Sequence, residues 1–304
     1  MTIKHDIKTY SISWLSSSYD KSSARGIIDN YYLPETMDEL KTLCVELLKN
    51  NETFRVIGHT SNIYFLPDTN IKHLISARKL NRWQINGDSL ICECGVNVRT
   101  LTKAMIEEGF EGFAGLIDLP GTVGGAIYGN ASVGSFSIGK LLESVEILNN
   151  YGQIEVFSHE DMKFQFRSSS LKRKEMRGTI LSCTLRLKKG NKDEEKKRAD
   201  IIHNWRMKNQ PGPLNNLGTT ALLGSRSTYG LLVFSIAKLL YFLHFPRKRN
   251  DYFLSIMGAS HLSPYLFGYN RFMWKDPKAH EYFADYVRFI NKAYNNPKLE
   301  IEVL

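Results

Sequence analysis

The chain has 304 residues, of which 42% are apolar and 23% charged, with 22 glycines and 9 prolines. This composition excludes a disordered chain, a collagen and a small disulfide-stapled protein, and the length suffices for two domains with buried cores. The formal net charge is +9, and residues 171–208 supply +8 of it, with 13 Lys and Arg against 5 Asp and Glu. Since no aromatic side chain lies between Leu171 and Asn204, this segment is predicted to be a solvated surface and not a nucleic-acid site.

The cysteines and the N-terminus predict the compartment and exclude a metal site. None of the four cysteines has a second Cys or a His at zinc-finger spacing, and all lie in apolar-patterned segments: Cys44, Cys92, Cys94 and Cys183. Buried thiols of this kind are typical of a reducing cytoplasm. Met1–Tyr10 contains no apolar stretch that would form a secretory signal. We therefore expect a cytoplasmic protein without a bound metal.

One apolar segment, residues 230–245, is a candidate for membrane contact. It carries Lys238 and His244 and is followed by Pro246 and three basic residues. The segment is shorter than the roughly 20 apolar residues that a spanning helix needs. A buried helix of the second domain is favoured over an interfacial anchor, and no spanning segment is expected.

The first half of the chain contains two predicted helices and a strand followed by a loop. The first helix covers residues 36–49, where Thr36 and Glu39 fit a capping box and Leu residues repeat at helical spacing. Residues 53–57 predict a strand that leads into a loop at residues 58–62. A second helix is predicted over residues 98–108, with Gly109 as its C-terminal turn.

The pattern changes to strands after residue 145. Residues 145–147 and 154–157 alternate around a turn and predict a hairpin, and residues 181–187 predict another half-buried strand. A charged stretch at residues 188–198 predicts an exposed turn that runs into a connecting helix and marks a domain boundary. This mixture indicates an α+β fold and not a regular βαβ series.

The densest motif is the glycine-rich segment at residues 119–131. Gly121, Gly124 and Gly125 lack a Cβ, so their amides can approach a phosphate closely, and Thr122 can add a hydroxyl. The spacing differs from the dinucleotide fingerprint of the Rossmann fold, and no βαβ unit follows. By itself this motif indicates either a phosphate-binding loop or tight backbone packing.

Read together, four segments resemble the UDP-N-acetylenolpyruvoylglucosamine reductase (MurB) family. They are Gly58 to Asn62, Gly115 to Ala131, Phe164 to Ser169 and Leu299 to Val303. The resemblance implies a two-part FAD-binding domain of the vanillyl-alcohol-oxidase/PCMH type at residues 1–190, with subdomains at about 1–78 and 79–190. It also implies a smaller α+β substrate domain at residues 200–304. FAD is then the cofactor, NADPH the reductant and a UDP-sugar the substrate, as in cell-wall peptidoglycan precursor synthesis.

The resemblance also implies which residues contact the cofactor. The family's G-G-G-S-N loop corresponds to residues 58–62, in which His59 and Thr60 replace two glycines. Its P-G-T-V-G-G-A and N-A motifs are retained at residues 120–126 and 130–131. The cofactor-binding residues implied are Gly58, His59, Thr60, Ser61, Asn62, Pro120, Gly121, Thr122, Gly124, Gly125 and Asn130.

Three residues correspond to the family's catalytic positions. Arg167 lies in the counterpart of its Y-R-x-S motif, although Phe166 has replaced the tyrosine, and would hold an enolate oxygen. Thr219 stands where the family has its proton-donating serine. Glu302 corresponds to the carboxylate of its L-E-x-E-V motif. The family's lysine after this serine is absent, and Arg226 is the nearest cation that could substitute.

These observations leave three functions open. The first is reduction of the enolpyruvyl ether of a UDP-sugar. The second is a paralogous flavin oxidoreductase acting on another sugar in surface-polysaccharide synthesis. The third is a non-catalytic flavin-fold binding protein, which the departures at His59, Thr60 and Phe166 support.

Overall fold

The computed structural model describes residues 10–11, 27–65, 69–209, 221–223, 225–242, 249–266, 281–300 and 302–303. The chain divides into two compact units. The first holds the described residues of 27–61 and 70–210, and the second those of 62–69 and 211–304. Helices and strands occur in both units, which confirms the predicted α+β class. The assignment of residues 1–190 and 200–304 to two functional domains stays a prediction.

A four-stranded sheet forms the first part of the first unit, with the order β1-β2-β5-β3. Its strands are β1 (Tyr10–Ser11), β2 (Ile27–Tyr32), β3 (Phe54–Ile57) and β5 (Asn70–Ser76). β2 and β3 both run parallel to β5, with Ile28 opposite Ile71 and Val56 opposite Ile75. The predicted strand before the first loop is therefore confirmed.

Helix α1 (Met37–Lys49) connects β2 to β3 and confirms the first predicted helix. Thr36 Oγ1 accepts a hydrogen bond from the Glu39 amide at 3.2 Å, as the capping box requires. The second hydrogen bond of a capping box would join the Glu39 carboxylate to the Thr36 amide. Here the carboxylate accepts from the Glu35 amide instead, at 2.8 Å. The apolar face of α1 packs in one core cluster with residues of both sheets, such as Ile75, Leu148 and Leu181.

The second sheet of this unit is antiparallel throughout, with the order β11-β10-β12-β7-β6. Its strands are β6 (Trp83–Asn86), β7 (Ser89–Glu93), β10 (Leu142–Leu148), β11 (Ile154–Ser158) and β12 (Thr179–Arg186). The predicted hairpin is β10–β11. On β12, Leu181, Cys183 and Leu185 are buried and alternate with half-buried residues, as predicted.

Three helices and a short hairpin complete the first unit: α2 (Val98–Glu107), α3 (Val123–Tyr128), β8 (Ser132–Val133), β9 (Phe136–Ser137) and α4 (Lys192–Asn209). α2 confirms the second predicted helix and ends before Gly109, whose φ is +75°. α4 is the predicted connecting helix. It buries Glu195, which pairs with Arg198 at 2.8 Å and accepts a hydrogen bond from the Ala114 amide at 3.3 Å.

The second unit contains three helices and two short strand pairs. The helices are α5 (Thr228–Phe242), α6 (Arg249–Ile256) and α7 (Phe283–Ala293). β4 (Ile63–Tyr64) runs parallel to β15 (Glu302–Val303), and β13 (Ala221–Leu222) runs antiparallel to β14 (Lys298–Leu299). The apolar side of α7 is buried and includes Tyr286, Phe289 and Ile290.

The prediction that residues 230–245 form a buried helix holds for only one face of α5. Val233 and Ala237 are buried, whereas Leu231, Leu232, Ile236 and Leu239 are exposed. Within the described part of the chain, helices that combine the length and the hydropathy required to cross a membrane are absent.

Candidate active site

Two loops of the first unit touch each other, and we call them the paired loops: residues 58–61, after β3, and residues 119–122, before α3. A Cβ placed on Gly58 would lie 2.2 Å from Thr122 Oγ1. A Cβ on Gly121, whose φ is +106°, would lie 2.7 Å from Ser61 Oγ. Both glycines are therefore required for the close approach of the two backbones.

The start of α2 holds the second of these loops in place. The Val98 amide donates to the Gly121 carbonyl at 3.1 Å, and the Val123 amide donates to the Val96 carbonyl at 2.8 Å. Asn97 caps α2 by accepting from the Thr100 amide at 3.0 Å, and its Nδ2 lies 3.3 Å from His59 Nδ1. Asn97 was not predicted as a functional residue, although an asparagine directly before the apolar stripe of a helix is a typical N-cap signal.

The backbone amides of Gly124 and Gly125 donate hydrogen bonds within the chain. Gly124 donates to the Cys94 carbonyl at 2.8 Å, and Gly125 donates to Thr122 Oγ1 at 3.3 Å. The missing Cβ at Gly124 serves packing instead, because a Cβ there would lie 2.9 Å from that of Cys94. Their assignment as cofactor-binding residues stays a prediction that no longer rests on these amides.

The paired loops present other donors that fit a diphosphate. Among the backbone hydrogen bonds that the described residues form outside helices and strand ladders, none is donated by the amides of Gly58, His59, Ser61 or Gly121. Pro120 has no amide hydrogen to contribute. Successive amides in a loop form a concave anion site, and the glycines leave room for phosphate oxygens to approach. This set of groups fits the diphosphate of a dinucleotide.

Of the two residues that replace family glycines, Thr60 takes an unusual conformation. Thr60 is buried and has a φ of +54°, a left-handed conformation that is strained for a β-branched residue. Its hydroxyl donates to the His59 carbonyl at 2.7 Å. Burial, reinforced by the positive charge of Arg78, lowers the pKa of His59 below its usual value. The imidazole therefore lies among these loops as a neutral hydrogen-bonding group.

Arg167 lies in a tight turn in which Gln165 and Ser168 exchange two backbone hydrogen bonds of 3.0 and 3.1 Å. Its φ is +56°, and its side chain is half-buried. Phe166, which precedes it, is 69% exposed, and its ring centroid lies 5.8 Å from the guanidinium carbon. Arg167 therefore lies in a turn and not at the edge of a strand.

Two side chains tie the Arg167 turn to the end of α3. Asn130 Nδ2 donates to the Gln165 carbonyl at 2.8 Å, and Asn130 Oδ1 accepts from the Gly139 amide at 3.2 Å. Ser169 Oγ donates to the Tyr128 carbonyl at 2.7 Å. The Asn130 amide group is thus engaged on both sides and positions the turn. Its predicted contact with the cofactor stays untested.

The second unit holds the remaining predicted residues. Asn62 Nδ2 donates to the Glu300 carbonyl at 3.3 Å, and the Glu300 side chain is buried. Glu302 pairs with Ile63 in the β15–β4 ladder, and the structure describes its backbone. Thr219 lies outside the described residues, as does Gly224 of the segment after it.

Arg226 does not stand free as a substitute for the missing lysine. Its guanidinium carbon lies 3.7 Å from the centroid of the Phe234 ring, and the rings of Phe253 and Tyr294 lie within about 6 Å. Burial raises the pKa of Tyr294, and the nearby Arg226 opposes that shift. Arg226 therefore acts as a packing cation among aromatic side chains of this unit.

Among the described residues, no three His, Cys, Asp or Glu side chains gather in a way that could hold a metal ion.

Comparisons with known proteins agree with this geometry. The sequence model of the FAD binding domain family matches residues 28–158. The UDP-N-acetylenolpyruvoylglucosamine reductase of Clostridium kluyveri is 28% identical over 216 residues, which are 71% of this chain and 70% of that protein. The reductase of the same name from Pediococcus pentosaceus is 27% identical over 196 residues, 64% of each chain. The chain thus spans about two thirds of the length of these relatives.

A solved structure extends the similarity to the whole fold. The crystal structure of UDP-N-acetylenolpyruvylglucosamine reductase (MurB) from Thermus caldophilus aligns with a TM-score of 0.68, over 97% of this chain and 98% of that one, at 20% identity. At that identity the alignment establishes the fold alone. Together with the retained motifs and the matched FAD binding domain, it confirms the resemblance drawn from the sequence. In sequence the chain is similar to UDP-N-acetylenolpyruvoylglucosamine reductases, and in fold it is similar to MurB.

Proposed function

We propose that this protein reduces the enolpyruvyl ether of a UDP-sugar in the synthesis of the peptidoglycan precursor, with FAD as cofactor and NADPH as reductant. The observation that carries the proposal is the tether between the retained N-A motif and the Arg167 turn. Asn130 and Ser169 hold the Arg167 turn against the end of α3, whose other end begins at the paired loops. This arrangement supports a dinucleotide site at one end of α3 and a cation for an anionic substrate at the other.

The paired loops supply the groups that would hold the cofactor. The amides of Gly58, His59, Ser61 and Gly121 are suited to the diphosphate of FAD, and Ser61 adds a hydroxyl. When bound, FAD supplies the hydride chemistry after reduction by NADPH. The protein has to orient the substrate beside the flavin and neutralise the charge that develops during reduction.

Arg167 is suited to the second task. Reduction places a hydride on the methylene carbon of the enolpyruvyl group and a proton on the neighbouring carbon, with negative charge on the enol and carboxylate oxygens in between. A guanidinium keeps its charge at any working pH and presents a rigid fork of donors to such oxygens. We assign Thr219 as the proton donor and Glu302 as the carboxylate that assists it, both from the family motifs.

A second candidate is reduction of a different unsaturated sugar. Phe166 lacks the phenol of the family motif, and its exposed side chain could contact a substrate with other hydrogen-bonding needs. The two candidates share the cofactor and the reductant, so they differ only in which substrate reoxidises the reduced flavin.

The test is spectroscopic. The purified chain should be yellow, NADPH should bleach it in the absence of oxygen, and UDP-N-acetylenolpyruvoylglucosamine should restore the colour. Restoration only by another enolpyruvyl sugar would select the second candidate. A colourless protein that stays colourless after incubation with FAD would reject both and leave a non-catalytic binding protein.

The location and the partners belong to the same proposal. All four cysteines are buried and unpaired, which supports a reducing compartment and hence the cytoplasm. The small-molecule UDP-sugar is the partner that we propose. In α4, Lys192 and Lys196 pair with Glu107, and Arg198 pairs with Glu194 and Glu195, which supports the expectation that nucleic acid is not a partner.

A further inference from the structure

Helix α5 exposes an apolar stripe that plays no part in the proposed reaction. Leu231, Leu232 and Leu239 are 54%, 59% and 57% exposed, and Tyr229 and Ile236 are exposed as well. Tyr229, Leu232, Ile236 and Leu239 are spaced by three, four and three residues, so they line one side of the helix. We call these five side chains the α5 stripe. Val233 and Ala237, on the opposite side, are buried in the unit.

The stripe is unusual for a protein surface. Large side chains exposed next to one another mark a surface that contacts a partner or a membrane. α5 has 15 residues and is therefore about 22 Å long. That length is less than the roughly 30 Å of a bilayer's hydrocarbon core, so a membrane-bound α5 would lie in the interface and not across it.

The charge of the surrounding sequence favours an anionic surface. Residues 211–250, which belong to the same unit as α5, contain no Asp or Glu, whereas they contain five Lys and Arg. Lys238 is an exposed residue of α5 itself, and the ammonium of exposed Lys292 lies 4.9 Å from the Tyr229 ring centroid. A second copy of the chain would bring like charges together at this stripe. Acidic lipid headgroups would instead neutralise them, at the depth where Lys and Tyr side chains are favoured.

We propose that the α5 stripe docks this chain onto an anionic membrane surface. The leucines and Ile236 enter the boundary between headgroups and acyl chains, and Lys238 and Lys292 remain at the level of the lipid phosphates. Salt screens the attraction between these lysines and the lipid headgroups, so binding should weaken as the salt concentration rises. This docking is separate from the proposed reaction and can be measured without it.

The test is co-sedimentation of the full chain with two kinds of vesicle, phosphatidylcholine alone and phosphatidylcholine mixed with phosphatidylglycerol. We expect binding to the mixed vesicles at low salt and little binding to the neutral ones. Leu232→Gln with Leu239→Gln should lower the binding constant by at least about tenfold, because burying a leucine contributes strongly to partitioning. The matched control is Ile154→Gln with Val156→Gln, which changes two exposed apolar residues of β11 and should leave binding unchanged.

A second variant keeps the proposal testable if the leucine variant folds poorly. Lys238→Glu changes one exposed charge and should weaken binding to the anionic vesicles while leaving circular dichroism unchanged. The proposal is overturned if the wild-type chain does not sediment with anionic vesicles, or if the β11 control loses binding equally. It is also overturned if the wild-type chain is a dimer that Leu232→Gln with Leu239→Gln converts to a monomer, because the stripe would then join two copies.

Discussion

Thr122 Oγ1 occupies the space that the first side-chain carbon of residue 58 would need, so Gly58 and Thr122 fix how closely the paired loops approach. The same hydroxyl accepts the Gly125 amide and caps α3. The contact therefore links the first loop to the helix that leads towards the Arg167 turn.

Gly58→Ala should destabilise the protein by about 1–3 kcal/mol, because a Cβ at 2.2 Å from Thr122 Oγ1 forces the loops apart. FAD should also bind more weakly, since the same amides face the diphosphate in our proposal. Urea unfolding and flavin titration measure the two effects. The matched control is Gly125→Ala, whose Cβ would meet Thr122 Oγ1 at an ordinary 3.4 Å and should not destabilise the helix. Equal stability of Gly58→Ala and wild type would contradict the prediction.

Thr60→Gly should be more stable than Thr60→Val by roughly 1 kcal/mol, because only the glycine relieves the strain of a β-branched residue at a φ of +54°. Both variants lose the hydroxyl bond to the His59 carbonyl, so comparing them isolates the backbone strain. Thr60→Val, which keeps the strain, should also be less stable than wild type. The midpoint of urea unfolding orders the three proteins. A glycine variant with a lower midpoint than Thr60→Val would show that the threonine is not strained.

Asn130→Asp should loosen the Arg167 turn, because a carboxylate cannot donate to the Gln165 carbonyl as the Asn130 amide does. We expect a loss of about 1–3 kcal/mol in the free energy of unfolding and slower reoxidation of the reduced flavin by substrate. Asn191→Asp is a matched control, since Asn191 only accepts hydrogen bonds from the Asp193 and Glu194 amides and an aspartate can do the same. Unchanged reoxidation in Asn130→Asp would remove the positioning role.

Arg167→Lys should slow reoxidation of the reduced flavin by substrate by about 10²-fold while leaving FAD bound. The charge is kept, but a single ammonium cannot offer two parallel donors to a carboxylate. Exposed Arg177→Lys is the control and should behave as wild type. Loss of the flavin from Arg167→Lys, with a normal rate in the fraction that retains it, would assign Arg167 to the cofactor site and not to the substrate.

The pH dependence of stability should carry a contribution from His59. Burial lowers the pKa of His59 in the folded protein, so below about pH 6.5 the unfolded chain takes up a proton more readily than the folded one. This contribution to stability is fully present above the ordinary pKa and is lost as the pH falls towards the folded value. His59→Asn should therefore show a shallower decline of the free energy of unfolding between pH 8 and pH 5 in urea titrations. Parallel curves for the two proteins would contradict the assignment.

The local elements were predictable because each depends on residues close in sequence. The stripe of Leu40, Leu43 and Leu47 and the Thr36 cap define α1 without reference to the rest of the chain. The alternation along β12 likewise reports one buried face. The second hydrogen bond of the capping box was predicted wrongly, because the Glu39 carboxylate accepts from the Glu35 amide and not from the Thr36 amide. The sequence pattern does not distinguish between these two neighbouring donors.

The site was predictable as a set of motifs and not as a set of contacts. Gly124 donates to Cys94, which lies 30 residues earlier, and Asn130 donates to Gln165, which lies 35 residues later. Such partners are determined by how the strands and helices assemble, so the sequence could name the residues but could not state what their amides bind. The exposed face of α5 was not predicted either. Apolar residues occur on all sides of this helix, so the sequence does not show which side is buried.

At Arg167, the residue that would best stabilise the fold differs from the residue that the proposed chemistry requires. A φ of +56° costs an ordinary residue about 1 kcal/mol relative to glycine, and the guanidinium is the group that our proposal requires. A library screened only for thermal tolerance should therefore enrich glycine at this position, whereas a screen for growth that depends on the enzyme's activity should eliminate it. Opposite outcomes of the two selections at this codon would show that the turn keeps a less stable residue because activity requires it.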